Sequence, residues 1–350
     1  MKGSIKETLA AVKVFRHRRK RRLVWALGER LLPFTVRVMT IASQRLINAS
    51  PGLPAPDKRC ASHVRAKCNA HVVYSADQMK PTTRKKEWFD DDSFWRELYP
   101  VMFPEQRIAD ADEQVANALA LTKPLGKSAL DLCCGPGRCS IALARRGFSV
   151  TGVDKTKYLL DKARAKARAA HMKIEWVQTD MRDFVRADSF ALVLSMFTSF
   201  GYFDDKREDM TVLQNMFESL QPRGACLIEV LGKERLAKIL QSTTSTVLSD
   251  GTMIVERHEI FDDWTRVRNE WLLIKNSTVK RFKFHHTIYS GLELRDRMER
   301  AGFIDVKLYG NLNGDEYGPN AERLIAIGRK PISKQLEKRP AADAGDEPDM

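Results

Sequence analysis

Ser128-Ala-Leu-Asp-Leu-Cys-Cys-Gly-Pro-Gly-Arg-Cys-Ser140, running on into Ile-Ala-Leu-Ala-Arg-Arg-Gly147, decides how this chain folds. The opening residues read as a short buried strand, a glycine-containing turn follows, and the next stretch has amphipathic helical spacing closed by Gly147. Strand, tight turn and helix in that order begin an open parallel sheet. Gly135 and Gly137 allow the sharp turn and let a ligand approach the backbone without meeting a Cβ. A nucleotide-like ligand is expected at this turn.

Asp131 narrows the choice of ligand. A dinucleotide fold offers backbone N–H groups to a pyrophosphate, which a carboxylate at the strand end would repel. The spacing Gly135-Pro-Gly137-Arg-Cys-Ser140 also lacks the third glycine of G-x-G-x-x-G. A ligand that is cationic here, or rich in hydroxyls and amines, suits the residues better. Phe148-Ser-Val-Thr-Gly-Val-Asp154 is a second β-branched strand ending in an acid, about where a βαβ unit places a carboxylate for ribose hydroxyls. Ile174-Glu-Trp-Val-Gln-Thr-Asp180 is a third, followed by Met181. Three successive strands thus finish in Asp131, Asp154 and Asp180, on the edge where such sheets bind ligands.

In these residues the chain resembles the class I S-adenosylmethionine-dependent methyltransferases, whose D-x-G-x-G-x-G turn is matched except at Cys133, which stands at the first glycine. The resemblance spans residues 87–330. It implies a Rossmann-like, doubly wound α/β fold: a mostly parallel seven-stranded sheet with an antiparallel edge strand. It also implies S-adenosylmethionine as cofactor. On this likeness Asp131, Cys133, Gly135 and Gly137 would line the methionine part, Asp154 the ribose, and Asp180 with Met181 the adenine. Lys155, Ser195, Tyr99 and Arg107 complete the expected cofactor-binding set.

Composition is that of an ordinary globular protein, 43% hydrophobic and 30% charged, so the net charge of +14 is the anomaly. Residues 1–86 hold twenty Lys and Arg against four Asp and Glu, leaving 39 against 41 for the remainder. The basic character therefore belongs to the N-terminal segment. Arg16-His-Arg-Arg-Lys-Arg-Arg22 is followed by an apolar stretch that carries Glu29, Arg30 and Arg37, which suits neither a membrane span nor a signal peptide. The segment reads as disordered: a targeting sequence, a basic arm for nucleic acid or membrane, or a leader ahead of a true start at Met79, the reading favoured here. Nucleic-acid binding is expected only through residues 1–86. Cys60, His63, Cys68 and His71 could be drawn as a zinc site, but no strand or helix pattern frames them and chance is the better reading, so no metal is expected. Cys133, Cys134, Cys139 and Cys226 read as reduced buried thiols of a cytoplasmic protein.

Glu87 to Phe103 starts the body as an aromatic helix capped by Asp92 or Ser93 and ended or kinked by Pro100. Tyr99, Phe103 and Arg107 are its candidate lid residues, while Trp88, Phe94 and Trp95 are expected to pack. Ala109–Leu121 reads as the helix leading to the first strand. The fourth strand, Phe190–Met196, ends in Phe197-Thr-Ser-Phe-Gly-Tyr-Phe203 beside the switch point of the sheet. Thr198, Ser199 and Tyr202 are candidates to hold a substrate, Phe197, Phe200 and Phe203 to pack.

After a fifth strand, Ala225–Val230, the stretch 251–289 departs from the minimal fold. Thr252–Phe261, Arg266–Lys275 and Val279–Tyr289 alternate as three strands with short joins, an antiparallel meander inserted as a cover over the site. Arg266, His285 and His286 are its polar candidates. Tyr202 and His286 are the expected catalytic residues, His286 as a base. A helix over Gly291–Ala301, strands Phe303–Tyr309 and Arg323–Arg329 at the sheet edge, and a disordered tail 331–350 complete the chain. No catalytic triad is present, as suits transfer from an already activated sulfonium. The loop after the fourth strand lacks an Asn/Asp-Pro-Pro-aromatic signature, and the chain has no Pro-Cys pair. With the near-neutral body, these absences point to a small-molecule acceptor, with RNA methylation, nicotinamide-dependent dehydrogenation or a non-catalytic nucleotide-binding module as alternatives.

Overall fold

The computed structural model describes residues 84–332. The calls on the basic segment, Met79 and the Cys60–His71 set, and on most of the tail, lie outside these residues. An entry segment with one 3-10 turn, Trp88–Asp90, leads to helices α1 (Asp92–Met102), α2 (Glu105–Ala109) and α3 (Ala111–Thr122). The alternating part follows: β1 (Ser128–Leu132), α4 (Arg138–Arg145), β2 (Ser149–Asp154), α5 (Lys157–Ala169), β3 (Glu175–Gln178), β4 (Phe190–Ser195), α6 (Lys206–Ser219) and β5 (Leu220–Val230). An insertion of α7 (Lys233–Ile239), β6 (Thr243–Val247), β7 (Met253–Phe261), β8 (Arg266–Lys275) and β9 (Thr278–Thr287) precedes α8 (Gly291–Arg300), β10 (Ile304–Tyr309) and β11 (Leu324–Arg329). None of the described helices is long and apolar enough to cross a membrane.

The main sheet has the order β10-β11-β5-β4-β1-β2-β3. β1 pairs in parallel with β2 on one side and β4 on the other, so chain direction across the sheet reverses between β1 and β4, the switch point of a doubly wound fold. β4 is buried at every residue because helices cover both faces. On one face Leu213 and Met216 of α6 pack with Leu294 and Met298 of α8. On the other, Val115 and Ala118 of α3 pack with Ala142 and Leu143 of α4. The reversed strand, β11, is antiparallel to both neighbours and stands one place in from the rim, with β10 outermost.

The insertion forms a second, four-stranded antiparallel sheet, β6-β7-β8-β9. It begins earlier than the expected 251 and has one strand more, because Thr243-Thr-Ser-Thr-Val247 carries no apolar alternation to mark it as a strand, although it pairs along its length with β7. Asn276 and Ser277 join β8 to β9 with φ of 46° and 62°, the left-handed pair of a tight hairpin. Phe94 and Leu98, one turn apart on α1, share a core with Phe282 and Phe284, alternate residues of β9. The aromatic entry helix thus packs on the inserted sheet.

Local corrections have local causes. Asp91 caps α1, its side chain accepting from the Ser93 N–H, and Pro100 sits within the helix instead of ending it. The helix expected over Ala109–Leu121 is α3, and a short additional helix, α2, precedes it and meets it at Asp110. The fifth strand, expected from Ala225, begins at Leu220 and includes Gln221-Pro-Arg-Gly224, where Arg223 takes φ 68° and the β4–β5 register shifts.

Gly137 has φ 78°, and a Cβ on it would lie 2.6 Å from the Trp176 ring and 2.9 Å from the Ala163 side chain. The Gly137→Ala variant is expected to lose about 2–5 kcal/mol, the sum of a left-handed alanine and overpacking against backbone-anchored neighbours. The shift in urea midpoint measures it.

Candidate active site

The carboxyl ends of β1, β2 and β3, roofed by the entry segment and the inserted sheet, enclose a cavity of about 260 Å³. Its lining divides into an acidic part, with Asp131, Asp154 and Asp180, and an aromatic part, with Trp88, Trp95, Tyr202 and Trp271.

The turn after β1 is held by the acid at the end of β2. Asp154 accepts the Gly135 N–H on Oδ2 and the Thr156 N–H on Oδ1, both at 2.8 Å. Burial pushes this carboxyl up, against those two backbone bonds. Each oxygen retains a lone pair for a further donor. Gly135 takes φ 55°, and Cys133 takes φ 60°, the left-handed region that a side chain resists. Cys133 holds it with its Sγ 3.4 Å from Met181 Sδ. Asp131, 3% exposed, accepts from the Ser140 hydroxyl at 2.5 Å. Burial pushes it up to about 6, opposed by that hydrogen bond and by the Arg138 charge.

Asp180 is in a different electrostatic position. Burial raises its pKa, but the Arg182 guanidinium donates to both of its oxygens, with Lys155 Nζ 3.2 Å away, and the carboxyl sits at about 2. Arg182 also donates to Glu87 at 2.8 Å and Glu208 at 2.9 Å, and Lys155 pairs with Asp90 at 2.6 Å. The entry segment is therefore bound through two cations to the end of β3.

Beyond β4 the backbone is strained where it meets the cavity. Phe197 and Thr198 take φ of 61° and 58°. Buried Glu229 on β5 holds both: its Oε2 accepts the Phe197 N–H at 2.6 Å and its carbonyl the Thr198 N–H at 3.0 Å. Arg323 donates to Glu229 Oε1 and, at 2.7 Å, to the Thr198 hydroxyl. The Arg138 guanidinium lies 3.3 Å from the centroid of the Phe197 ring.

The structure brings Asp131, Cys133, Gly135, Asp154, Lys155, Asp180, Met181, Arg107 and Tyr202 onto one cavity, with Phe103, Thr198 and Ser199. Four expected residues are placed elsewhere. Gly137 faces Trp176 and Ala163, so its missing side chain serves helix-to-sheet packing. Ser195 is fully buried in β4. Tyr99 turns to α5, where its hydroxyl accepts from Lys166 Nζ at 2.9 Å. His286 lies behind Tyr202, ring centroids 5.0 Å apart, with Nδ1 3.4 Å from Asn269 Nδ2. Burial, with the neighbouring His285 and His258, lowers it to about 4, so it is neutral at pH 7. Arg266 and His285 turn to Asp204.

Sequence reasoning missed Glu229 and Arg323, whose partners are remote in the chain, Arg182, which joins nearby Asp180 to distant Glu87, and Trp271, which a strand pattern alone cannot direct inward. Arg138, immediately after Gly137, was the one accessible signal.

Residues 129–224 match a family model described as a methyltransferase domain. The cypemycin N-terminal methyltransferase of Streptomyces sp is 32% identical over 208 residues, 59% of this chain and 84% of that protein. A ubiquinone biosynthesis O-methyltransferase of Actinobacillus pleuropneumoniae serotype 7 (strain AP76) is 28% identical over 171 residues, 45% of this chain and 70% of that protein. In fold, an S-adenosylmethionine-dependent methyltransferase from Clostridium acetobutylicum ATCC 824 is similar with a TM-score of 0.57 at 14% identity, covering 69% of this chain and 98% of that one.

Arg182, its side chain 2% exposed, is the common partner of three carboxylates. Arg182→Ala is expected to cost about 3–5 kcal/mol in unfolding free energy, because it removes the shared cation and leaves Asp180 only Lys155. Denaturant titration at neutral pH reads the loss.

Proposed function

This chain belongs to the class I S-adenosylmethionine-dependent methyltransferases, and from that premise we propose that it transfers the methyl group to a small molecule held in the roofed cavity. The observation that carries this reading is a single, partly covered cavity. The acids at three strand ends and the aromatic residues of the roof line one cavity, bounded by α1 and the inserted sheet. A space of this kind suits a small acceptor better than a nucleic-acid strand, and residues 87–350, with their near-balanced charge, offer little to a phosphate backbone.

The lining fits the cofactor's parts. Asp131 would take an ammonium, and the free lone pairs of Asp154 would accept from ribose hydroxyls. Lys155 stands beside them, and Met181 and Leu159 offer apolar contact to a planar base. Arg107 and Arg138 would face a carboxylate. Bound there, S-adenosylmethionine supplies a methyl on a sulfonium that needs no further activation.

The protein's contribution is position and exclusion of water. The Asp154 bond to the Gly135 N–H fixes the turn against which the cofactor would lie. Glu229 and Arg323 fix the loop that carries Phe197 and Thr198, next to the methyl's expected place, so that the acceptor meets a rigid wall. Tyr202 reaches the same wall from beyond it. Burial pushes its phenol up to about 12, so it is a donor at neutral pH and no base.

Two measurements test this. In the first, the full chain is incubated with methyl-labelled cofactor and a cell extract, then separated by size. Label in a low-mass product resolved from the cofactor is expected; label in RNA or protein alone would overturn the small-molecule reading. In the second, calorimetry of cofactor binding is followed against pH. Because ionised Asp131 is the binding form and its free-state value is about 6, affinity is expected to hold above that pH and fall by about tenfold per unit below it. Asp131→Asn should flatten the profile. The same raised value works oppositely on stability: the Asp131 contribution is full below its ordinary carboxylate pKa and is lost as pH rises through about 6.

A further inference from the structure

Resting on the small-molecule reading above, we propose that Asp209, buried in α6 and absent from the cavity lining, is a positioning residue for the acceptor: through Tyr289 it sets residues 200–202, which carry Tyr202 to the site.

The observation is a carboxylate at a core position. Asp209 falls in the buried stripe of α6 with Val212, Leu213 and Met216, at the spacing where an apolar residue is expected. It is fully buried. Its Oδ2 accepts from the Tyr289 hydroxyl, while its Oδ1 has no hydrogen-bond partner among the described residues. Burying a half-satisfied carboxyl is costly, and an apolar side chain here would serve the core better. A residue that breaks the local pattern in this way marks a functional constraint.

A short chain of contacts joins Asp209 to the cavity. The Tyr289 ring, itself buried, lies 5.5 Å from the Phe200 ring between centroids. The next residue, Gly201, takes φ 103°, and a Cβ on it would lie 2.9 Å from the Thr287 carbonyl oxygen and 3.4 Å from the Tyr289 ring. The Gly201 carbonyl accepts the Thr287 N–H at 2.7 Å, and the Tyr289 carbonyl accepts the Lys233 N–H at 2.8 Å. The backbone at Gly201 is thus seated against the end of β9 and the Tyr289 ring, with no side chain between to absorb a shift. Tyr202 follows at once, on the cavity lining.

The charges around Asp209 come from each element packed on it: Arg297 from α8, Arg266 from β8, Glu208 beside it on α6, and the Tyr289 phenol. The Arg297 guanidinium lies 5.3 Å from the Tyr289 ring centroid, and Glu293 on the same helix pairs with Lys233 at 2.7 Å. Burial pushes Asp209 up to about 6, opposed by the Tyr289 bond and the two arginines. Burial and the Asp209 charge hold the Tyr289 phenol well above its ordinary value, so it remains the donor. An ionised carboxylate is the stronger acceptor, so the tether is full above about pH 6 and weakens as pH falls through it. Stability runs the other way: a raised carboxyl favours the folded protein at low pH, so a loss of rate there is not a loss of fold at Asp209.

The test uses the full chain with saturating methyl-labelled cofactor, which suppresses the titration of Asp131, and the low-mass fraction of a cell extract as acceptor source in a dilution series. The maximal rate of the labelled low-mass product is expected to fall below about pH 6 in the wild type. Asp209→Asn keeps an accepting oxygen without a titrating proton and is expected to flatten that limb. Tyr289→Phe is expected to lower the maximal rate about tenfold above and below that pH, with cofactor affinity by calorimetry unchanged. Hydrogen exchange of the full chain, saturated with the demethylated cofactor product, supplies a second readout. Residues 197–203 are expected to exchange about tenfold faster in Tyr289→Phe, with β1 and β2 unchanged. An acid limb in Asp209→Asn equal to that of the wild type would overturn the proposal. So would a Tyr289→Phe variant whose rate and exchange are unchanged, even if its thermal midpoint falls, since the pair would then be structural only. If the wild type labels macromolecules alone, the small-molecule reading fails, and the exchange of residues 197–203 still decides whether Asp209 and Tyr289 set this segment.

Discussion

The carboxylate of Asp154 is the constraint on which the site depends. It ends β2, yet it holds the N–H of Gly135, in the turn after β1, and the N–H of Thr156, just ahead of α5. One side chain thereby joins two strand ends and a helix start into a single shelf. The cost is a buried charge, met by two backbone donors. That arrangement also explains how Cys133 is tolerated at a left-handed position. The turn is fixed from outside by Asp154 and by the Cys134 N–H on the Val153 carbonyl at 2.9 Å, so the local preference of one residue does not decide it.

Around the shelf the protein uses charge to close and apolar surface to cover. Arg182 and Lys155 bind Glu87 and Asp90 of the entry segment to Asp180, and α1 then lays Phe94 and Leu98 on the inserted sheet. The two devices have different reach. Ion pairs fix where the entry segment starts, while the aromatic core fixes where the roof ends. The cavity lies between them, acidic below and aromatic above.

On the far side of the cavity a second buried pair, Glu229 and Arg323, holds Phe197 and Thr198 in conformations they would not adopt alone. Rigidity at this loop and at the Asp154 turn is what a reaction governed by alignment requires. Neither element supplies a proton-transfer group, in keeping with a neutral His286 withdrawn behind Tyr202.

The alternation of strand and helix, the three strand-ending acids and the glycine turn were all legible in the sequence, because each is a local pattern: period, turn chemistry and chain order determine it within a few residues. The inserted sheet was legible where its strands alternate and not at Thr243–Val247, where the single apolar residue, Val247, is exposed and marks no face. What only the tertiary structure decided was side-chain company. Gly137 and Asp131 come from one motif, but Gly137 makes room for Trp176 while Asp131 lines the cavity. Tyr202 and His286 were paired as catalytic candidates, but one lies on the lining and the other behind it. Glu229 and Arg323 are 94 residues apart, Glu87 and Arg182 are 95 apart, and nothing in either neighbourhood names the other. Their meeting follows from strand order and from which side of each strand a residue occupies. Those are properties of the assembled sheet, not of any one segment.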